Sequence, residues 1–385
     1  MTRKLTLERQ GSFQRENKLF MVVSDWEGPW VTADHAFEVT KRCVPNGDML
    51  FAGISEYDDY LSYVKKKEGY QPGDTLALIA PFLVAYDVNE KSLTTVAKEN
   101  ANFIKGSLEA IRMLGELGYS LKIVSTSYCQ YVWHTTNLAG IPKTNTKCTF
   151  FPIDEYSLNI EEKDKEFVKE KVNEITSLPK LGITASTTEK ELPLDAMHTI
   201  KKLDRFFWEE LPKTSYKQML EEVKPIGGYR KFMALEEALA EEHKALHQSE
   251  TIGDSITDWV MLKKTKDAGG LSISFNGNDY ALKNSNVAII SNNCMVTPVI
   301  IDLFNRAGIE SVEEVTSNWN YNILKEASAK GHLNLSLFMR FLDSIDDISR
   351  LPRVAWITED NIEATINDSK KMRNTLRGVA IGSLG

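Results

Sequence analysis

Short unbroken apolar runs recur along the chain, each ending at a turn or a polar residue: Leu19–Val23, Leu121–Val124, Thr251–Ile252, Leu271–Phe275 and Val287–Ile290. None shows helical spacing, and runs of this length, rich in Val and Ile, are the pattern of strands buried on both faces of a parallel sheet. A different period appears between the first two. Ile104, Leu108, Ile111 and Leu114 recur at helical spacing, and Gly118 follows as a stop before Leu121–Val124. A helix feeding a second strand next to a first is the unit of an α/β fold, so the pattern predicts a mainly parallel sheet of at least five strands flanked by helices.

The segments between these runs read as insertions. Residues 32–99 are rich in Tyr, Lys, Glu and Asp, with breaks near Pro45-Asn46-Gly47 and Pro72-Gly73-Asp74. They predict short helices whose Tyr57–Tyr63 and Leu76–Tyr86 stretches cover the end of the first strand. Residues 129–225 read either as a second insertion or as elaborated crossovers: Glu161–Glu174 is a charge-dense helix, and Phe206, Phe207 and Trp208 read as packing. Residues 311–385 read as a polar helical extension without chemistry, leaving 1–31 and 100–310 as the core.

In open α/β sheets ligands bind outside the carboxyl ends of the strands. Asp25 and Glu27 stand where the first run stops, just before the Gly28-Pro29 break. Ser125-Thr126-Ser127 ends the second, either as a hydroxyl cluster beside those acids or as a cap of the next helix. In the string Glu250–Asp258, Gly253 lets the backbone turn so that Asp254 and Asp258 project near the same cleft. His243 and His247 read as one turn apart on the helix Phe232–His247, on a solvated face rather than as metal ligands.

Composition narrows the classes. The 385 residues are 42% hydrophobic and 26% charged, ordinary values for a globular chain. Acids outnumber bases 54 to 46 without a basic block, which argues against nucleic acid. No apolar run approaches a membrane span, and Met1–Asn17 has no secretory core, so the expectation is a cytoplasmic protein without a membrane partner. Cys43, Cys129, Cys148 and Cys294 lack metal-ligand spacing and read as reduced thiols.

Taken together, DWEG after the first strand, the hydroxyls after the second, the Arg230-Lys231 pair and GDSITD resemble the haloacid dehalogenase (HAD) superfamily of phosphatases and phosphotransferases. The resemblance implies a Rossmann-like HAD core with a mostly helical cap. It implies Asp25 as the nucleophile that becomes an aspartyl-phosphate, Glu27 as general acid and base, and Ser125 as the phosphate-binding hydroxyl, with Thr126 as its rival. Lys231, 23 residues before Asp254, matches the phosphate-binding lysine, with Arg230 as its rival. The implied cofactor is Mg²⁺, held by Asp25, the backbone carbonyl of Glu27 and the acidic motif Asp254/Asp258, with Asp258 also holding Lys231. Such a dication and lysine would screen an anionic phosphate from a carboxylate nucleophile.

Many phosphatases of this superfamily carry Asp where this chain has Glu27, whose extra methylene shifts the carboxyl. The expected activity is hydrolysis of a small phosphorylated metabolite; the alternatives are a catalytically weak binding or accessory subunit and a phosphotransferase or mutase. A homodimer and a role in a larger complex both stay open. The DWEGPW start and the length also resemble archaeal predicted phosphohydrolases grouped by name with subunit R of energy-converting hydrogenase A.

Overall fold

The computed structural model describes residues 20–183 and 187–382. The expectations for Met1–Asn17 and for Leu19 at the head of the first strand lie outside the described residues. Seven strands form one sheet: β1 (Met21–Ser24), β2 (Ser120–Tyr128), β3 (Thr146–Thr149), β4 (Ser249–Gly253), β5 (Leu271–Phe275), β6 (Val287–Ile290) and β7 (Arg353–Trp356). Their order is β3-β2-β1-β4-β5-β6-β7, parallel except for β7 against β6. The core is thus the α/β arrangement expected from the sequence, a mainly parallel sheet flanked by helices. From β1 the chain crosses to β2 on one side, and β4 fills the other. That reversal opens a crevice at the carboxyl ends of β1 and β4, where ligands bind in such sheets.

Two hydrophobic clusters divide most of the interior. One coats the sheet, with Val22, Trp26, Ile252, Ile273 and Val287 among its buried members. The other is built from residues between 36 and 96 together with residues between 151 and 223. Its centre is the helix Thr75–Ala85, in which ten residues are buried. A helix apolar on every side must be covered on every side. The charge-dense helix Glu162–Thr176 supplies part of that cover, turning Val168, Val172 and Ile175 inward. Residues 129–225 therefore split: Cys129, Tyr131, Val132, Cys148 and strand β3 belong with the sheet, and the segment from Phe151 packs with residues 32–99.

Three local expectations are corrected. Residues 311–385 are not wholly helical, because β7 pairs with β6 and covers a sheet edge that would otherwise expose unpaired backbone groups. The helix expected over Phe232–His247 is Tyr229–Glu241; His243 lies beyond its end at φ 53°, so the two histidines share no helical face. The run Ser125–Ser127 lies within β2, and the next helix, Cys129–Leu138, has no side-chain cap. No helix of the described residues is long and apolar enough to cross a membrane.

Candidate functional site

Asp25 is the first residue past β1. Its N–H donates to the Ile252 carbonyl at 2.9 Å, continuing the β1–β4 ladder by one bond. Two indoles anchor the loop that follows. Trp26 and Trp30 are fully buried, and their Nε1 groups donate to Thr135 Oγ1 at 2.7 Å and Ser24 Oγ at 2.8 Å, so neither buried N–H is left unpaired. Gly28, at φ +102°, brings this loop against Asp254; a Cβ there would lie 2.2 Å from the Asp254 carboxyl. A glycine is required on both counts.

Lys231 reaches the cleft from the first turn of the helix Tyr229–Glu241. It is wholly buried, with Nζ 2.7 Å from Asp25 Oδ2 and 2.6 Å from Asp258 Oδ1. Its rival Arg230 points elsewhere, paired with Asp74 and donating to the Pro225 carbonyl at 2.9 Å. Burial opposes the Lys231 charge, but Asp25 and Asp258 outweigh it and hold its pKa above the ordinary value. Asp258 also accepts at Oδ2 from the N–H groups of Asp254 and Ser255, both at 3.0 Å. It thereby closes the turn after β4 and aims the lysine.

Burial pushes the Asp25 carboxyl up to about 8. The Asp258 charge adds to that shift, Lys231 opposes it, and Asp254 adds a smaller upward push. Glu27 is raised well above the usual carboxylate range, first by burial and then by Asp34, against the His35 N–H and Arg377. The Glu27 carboxyl is nonetheless held in place. Its Oε1 accepts from His35 N at 2.8 Å, in the first turn of the helix His35–Cys43, and from Ser127 Oγ at 3.2 Å. Those two groups were missed in the sequence, since a backbone N–H carries no signature and Ser127 read as one of three equivalent hydroxyls.

The two phosphate-binding candidates part company. Thr126 Oγ1 donates to the Ile226 carbonyl at 2.9 Å, across to the loop before Lys231. Ser125, almost fully buried, accepts at Oγ from Ser127 N at 3.2 Å and lines the cleft, its own O–H engaged with no acceptor among the described residues. An irregular register between Val124 and Tyr128 in the β2–β3 pairing accompanies this placement.

The expectation that the C-terminal region carries no chemistry is corrected. Arg373 and Arg377, on the helix Ile362–Gly382, both pair with Asp254 Oδ2, Arg377 at 3.0 Å. Arg377 also donates to the carbonyls of Thr32 at 3.2 Å and Ala33 at 3.3 Å, at the entry to the cap. On paper two arginines one turn apart on a polar helix look solvated; the partner that defines them lies 119 and 123 residues away. With them, residues of core, cap and C-terminal helix enclose a cavity of about 110 Å³ that includes Asp25, Glu27, Ser125 and Asp254.

Asp25, Asp254 and Asp258 offer carboxylate oxygens within 4.8 Å of one another, hard donors suited to a small dication such as Mg²⁺. Both Asp258 oxygens are engaged, by Lys231 and by the backbone, and the Glu27 carboxyl is held by His35 and Ser127. Asp25 is engaged at both oxygens as well, accepting from Trp26 N at 2.7 Å at Oδ1 and pairing with Lys231 at Oδ2, but each oxygen keeps a further lone pair, and the Asp254 Oδ1 atom accepts from none of the described donors, so these two can face one cation. The residues fit the group.

No protein-family model and no curated protein matches the chain. Among solved structures, gene product AF1437 from Archaeoglobus fulgidus is similar over 95% of this chain and 99% of its own, with a TM-score of 0.75 and 28% identity. A substrate-bound phosphoserine phosphatase complex is more loosely similar, at TM-score 0.42 and 13% identity over 73% of this chain and 96% of its own.

Proposed function

We propose that this chain is a Mg²⁺-dependent phosphohydrolase of the HAD type that acts on a small phosphorylated metabolite through an aspartyl-phosphate on Asp25. The observation that carries the reading is Lys231 held between Asp25 and Asp258 at 2.7 and 2.6 Å, with Asp254 in the same cleft. Residues this far apart in sequence have no shared structural reason to place three buried acids around one buried lysine, and such an arrangement stores charge where a phosphoryl group needs it.

Bound between Asp25 and Asp254, Mg²⁺ would neutralise phosphate charge and favour the ionised form of Asp25. The chain's own groups would do the rest. An Asp25 carboxylate oxygen attacks phosphorus while the ester oxygen leaves, taking the proton that Glu27 retains because its pKa is raised. Glu27, now ionised, removes a proton from a water that attacks the aspartyl-phosphate at phosphorus, which releases phosphate and restores both carboxyls. Lys231 and the Ser125 hydroxyl hold phosphoryl oxygens. The same reading groups the chain with the archaeal predicted phosphohydrolases named with hydrogenase subunit R. The acidic group found among the described residues is all carboxylate, a donor set for Mg²⁺ rather than for nickel or an iron–sulfur cluster.

The test is turnover of p-nitrophenyl phosphate with and without Mg²⁺. The reading expects activity that EDTA abolishes and that falls at least about a thousandfold in Asp25→Asn, the scale of losing a nucleophile. One observation favours a second reading, a catalytically weak binding or accessory protein. Arg373 and Arg377 already neutralise Asp254, which is what a site without a cation would need. Clean protein that turns over nothing on a broad phosphate panel and is not stabilised by Mg²⁺ would select it.

A further inference from the structure

The charges lining the cavity are unequal. Six acids line it, Asp25, Glu27, Asp34, Asp58, Asp59 and Asp254, against two arginines, Arg373 and Arg377. Four of the acids have a stated use. Asp25 pairs with Lys231 and Asp254 with both arginines. Glu27 is held by two donors, and Asp34 caps the helix His35–Cys43 through Phe37 N at 3.0 Å. Asp58 and Asp59 have no such account, for no Lys, Arg or His of the described residues forms an ion pair with either.

Asp58 is only 4% exposed. One of its oxygens accepts from Gly73 N at 3.0 Å, while Oδ1 has no hydrogen-bond partner among the described residues. The Tyr70 and Thr75 side chains lie near enough to favour its charged form, yet burial still raises it to about 7, and burial raises Asp59 well above the usual range as well. A buried carboxyl without a counter-charge is costly unless something fills the gap. Both residues end the helix Gly47–Asp59 and line the same cavity as the core residues that would handle phosphate. A substrate held at the core by its phosphate therefore shares its enclosure with this pair.

We infer that Asp58 and Asp59 form a cation subsite, and that the substrate is a short phosphate monoester carrying an ammonium or guanidinium group. The inference rests on the phosphohydrolase reading for which end of the substrate meets the core, and adds the chemistry of the other end. A cavity of about 110 Å³ is small beside the roughly 300–1,000 Å³ of pockets for drug-sized ligands, so the cation lies within a few bonds of the phosphate. A substrate cation here would lower both carboxyl pKa values by restoring their charged forms. A second anion on the substrate would instead add to the uncompensated negative charge.

The test compares phosphoethanolamine with propyl phosphate, which matches it in length and lacks the charge. The wild-type protein should show kcat/KM at least about tenfold higher for phosphoethanolamine, the ratio expected of one favourable charge pair. In Asp58→Asn and Asp59→Asn that ratio should fall toward one. The ratio within each variant cancels any loss of folded protein, and Asp59, less deeply buried than Asp58, is the safer of the two to replace. Turnover of p-nitrophenyl phosphate with equal rates on the two alkyl esters overturns the cation subsite and leaves the phosphohydrolase reading in place. If nothing is turned over, thermal shifts decide. A larger rise in unfolding midpoint with phosphoethanolamine than with propyl phosphate keeps the subsite and overturns hydrolysis, and equal rises overturn the subsite.

Discussion

Replacing Lys231 by Met removes the charge on which the proposed centre depends while keeping most of the side-chain volume. Nζ is wholly buried and sits 2.7 Å from Asp25 and 2.6 Å from Asp258, so the substitution leaves two buried carboxyls without their shared cation. Removing one partner of a buried ion pair costs about 3–5 kcal/mol, and two stranded partners place this case at the upper end. Measured against a total stability of about 5–15 kcal/mol for a typical protein, that is a large loss. The loss must also depend on pH. Asp25 already has a folded pKa above its ordinary 3.8, and losing the lysine raises it further. A carboxyl raised in the folded state contributes its full stability below its unfolded pKa and loses it as pH rises through the folded value. The deficit of Lys231→Met relative to wild type should therefore be smallest below about pH 8, where Asp25 keeps its proton in both proteins, and grow as pH rises above it. Urea unfolding in EDTA at several pH values measures this. The double variant Lys231→Met/Asp258→Asn should lose less than the sum of the single losses, by about 0.5–3 kcal/mol, because one stranded charge has gone. A deficit below about 1 kcal/mol that is flat with pH would refute the geometry, since a solvated lysine behaves that way.

Other consequences follow from the same contacts. Gly28→Ala would put a Cβ 2.2 Å from the Asp254 carboxyl at a φ of +102°, and should lower stability by at least about 1–3 kcal/mol and abolish Mg²⁺-dependent turnover, as read by urea unfolding and phosphate release. Glu27→Gln should slow hydrolysis of unactivated alkyl phosphates by about 10²–10⁴-fold and hydrolysis of an activated aryl ester much less, because only the former needs a proton on its leaving oxygen. Trp26→Phe, which removes the donor to Thr135 Oγ1 and leaves that hydroxyl its own bond to the Tyr131 carbonyl, should cost about 1 kcal/mol on top of any packing change, checked by urea unfolding. His35, stacked on Tyr131 and buried with neither ring nitrogen partnered among the described residues, has its pKa lowered by burial to about 3. A base depressed in the folded state keeps its stability above its unfolded value of 6.5 and loses it as pH falls, at up to about 1.4 kcal/mol per unit. The acid limb of the wild-type stability curve should show that slope, and His35→Phe should flatten it.

The parts of the molecule that could be read from the sequence are those specified by local pattern. Leu271–Phe275 and Val287–Ile290 are strands over those same residues because a fully buried parallel strand leaves an uninterrupted apolar run. Asp25 and Asp254 stood out because each follows such a run at a turn. What escaped depended on partners remote in sequence. Arg373 and Arg377 acquire meaning from Asp254, more than a hundred residues away, and β7 is four residues whose strand character comes from the open edge of β6. The division of residues 129–225 escaped for a related reason. Val168, Val172 and Ile175 make a narrow stripe on a helix dense in charge, and only the all-apolar helix Thr75–Ala85 explains where it faces. His243 shows the opposite error, a helical period continued past Glu241 into a left-handed turn that the residues themselves do not announce.

The central claim is that Asp25 and Asp254 share a cation while Lys231 steadies the nucleophile. A crystal structure with Mg²⁺ and beryllofluoride, a mimic of a transferred phosphoryl group, tests it directly. The account predicts fluoride-bound beryllium on an Asp25 carboxylate oxygen, Mg²⁺ between Asp25 and Asp254, and Lys231 Nζ within hydrogen-bond distance of the fluorides. Beryllium on any other carboxylate, or Asp254 still closed over by Arg373 and Arg377 with no metal beside it at saturating Mg²⁺, would contradict it.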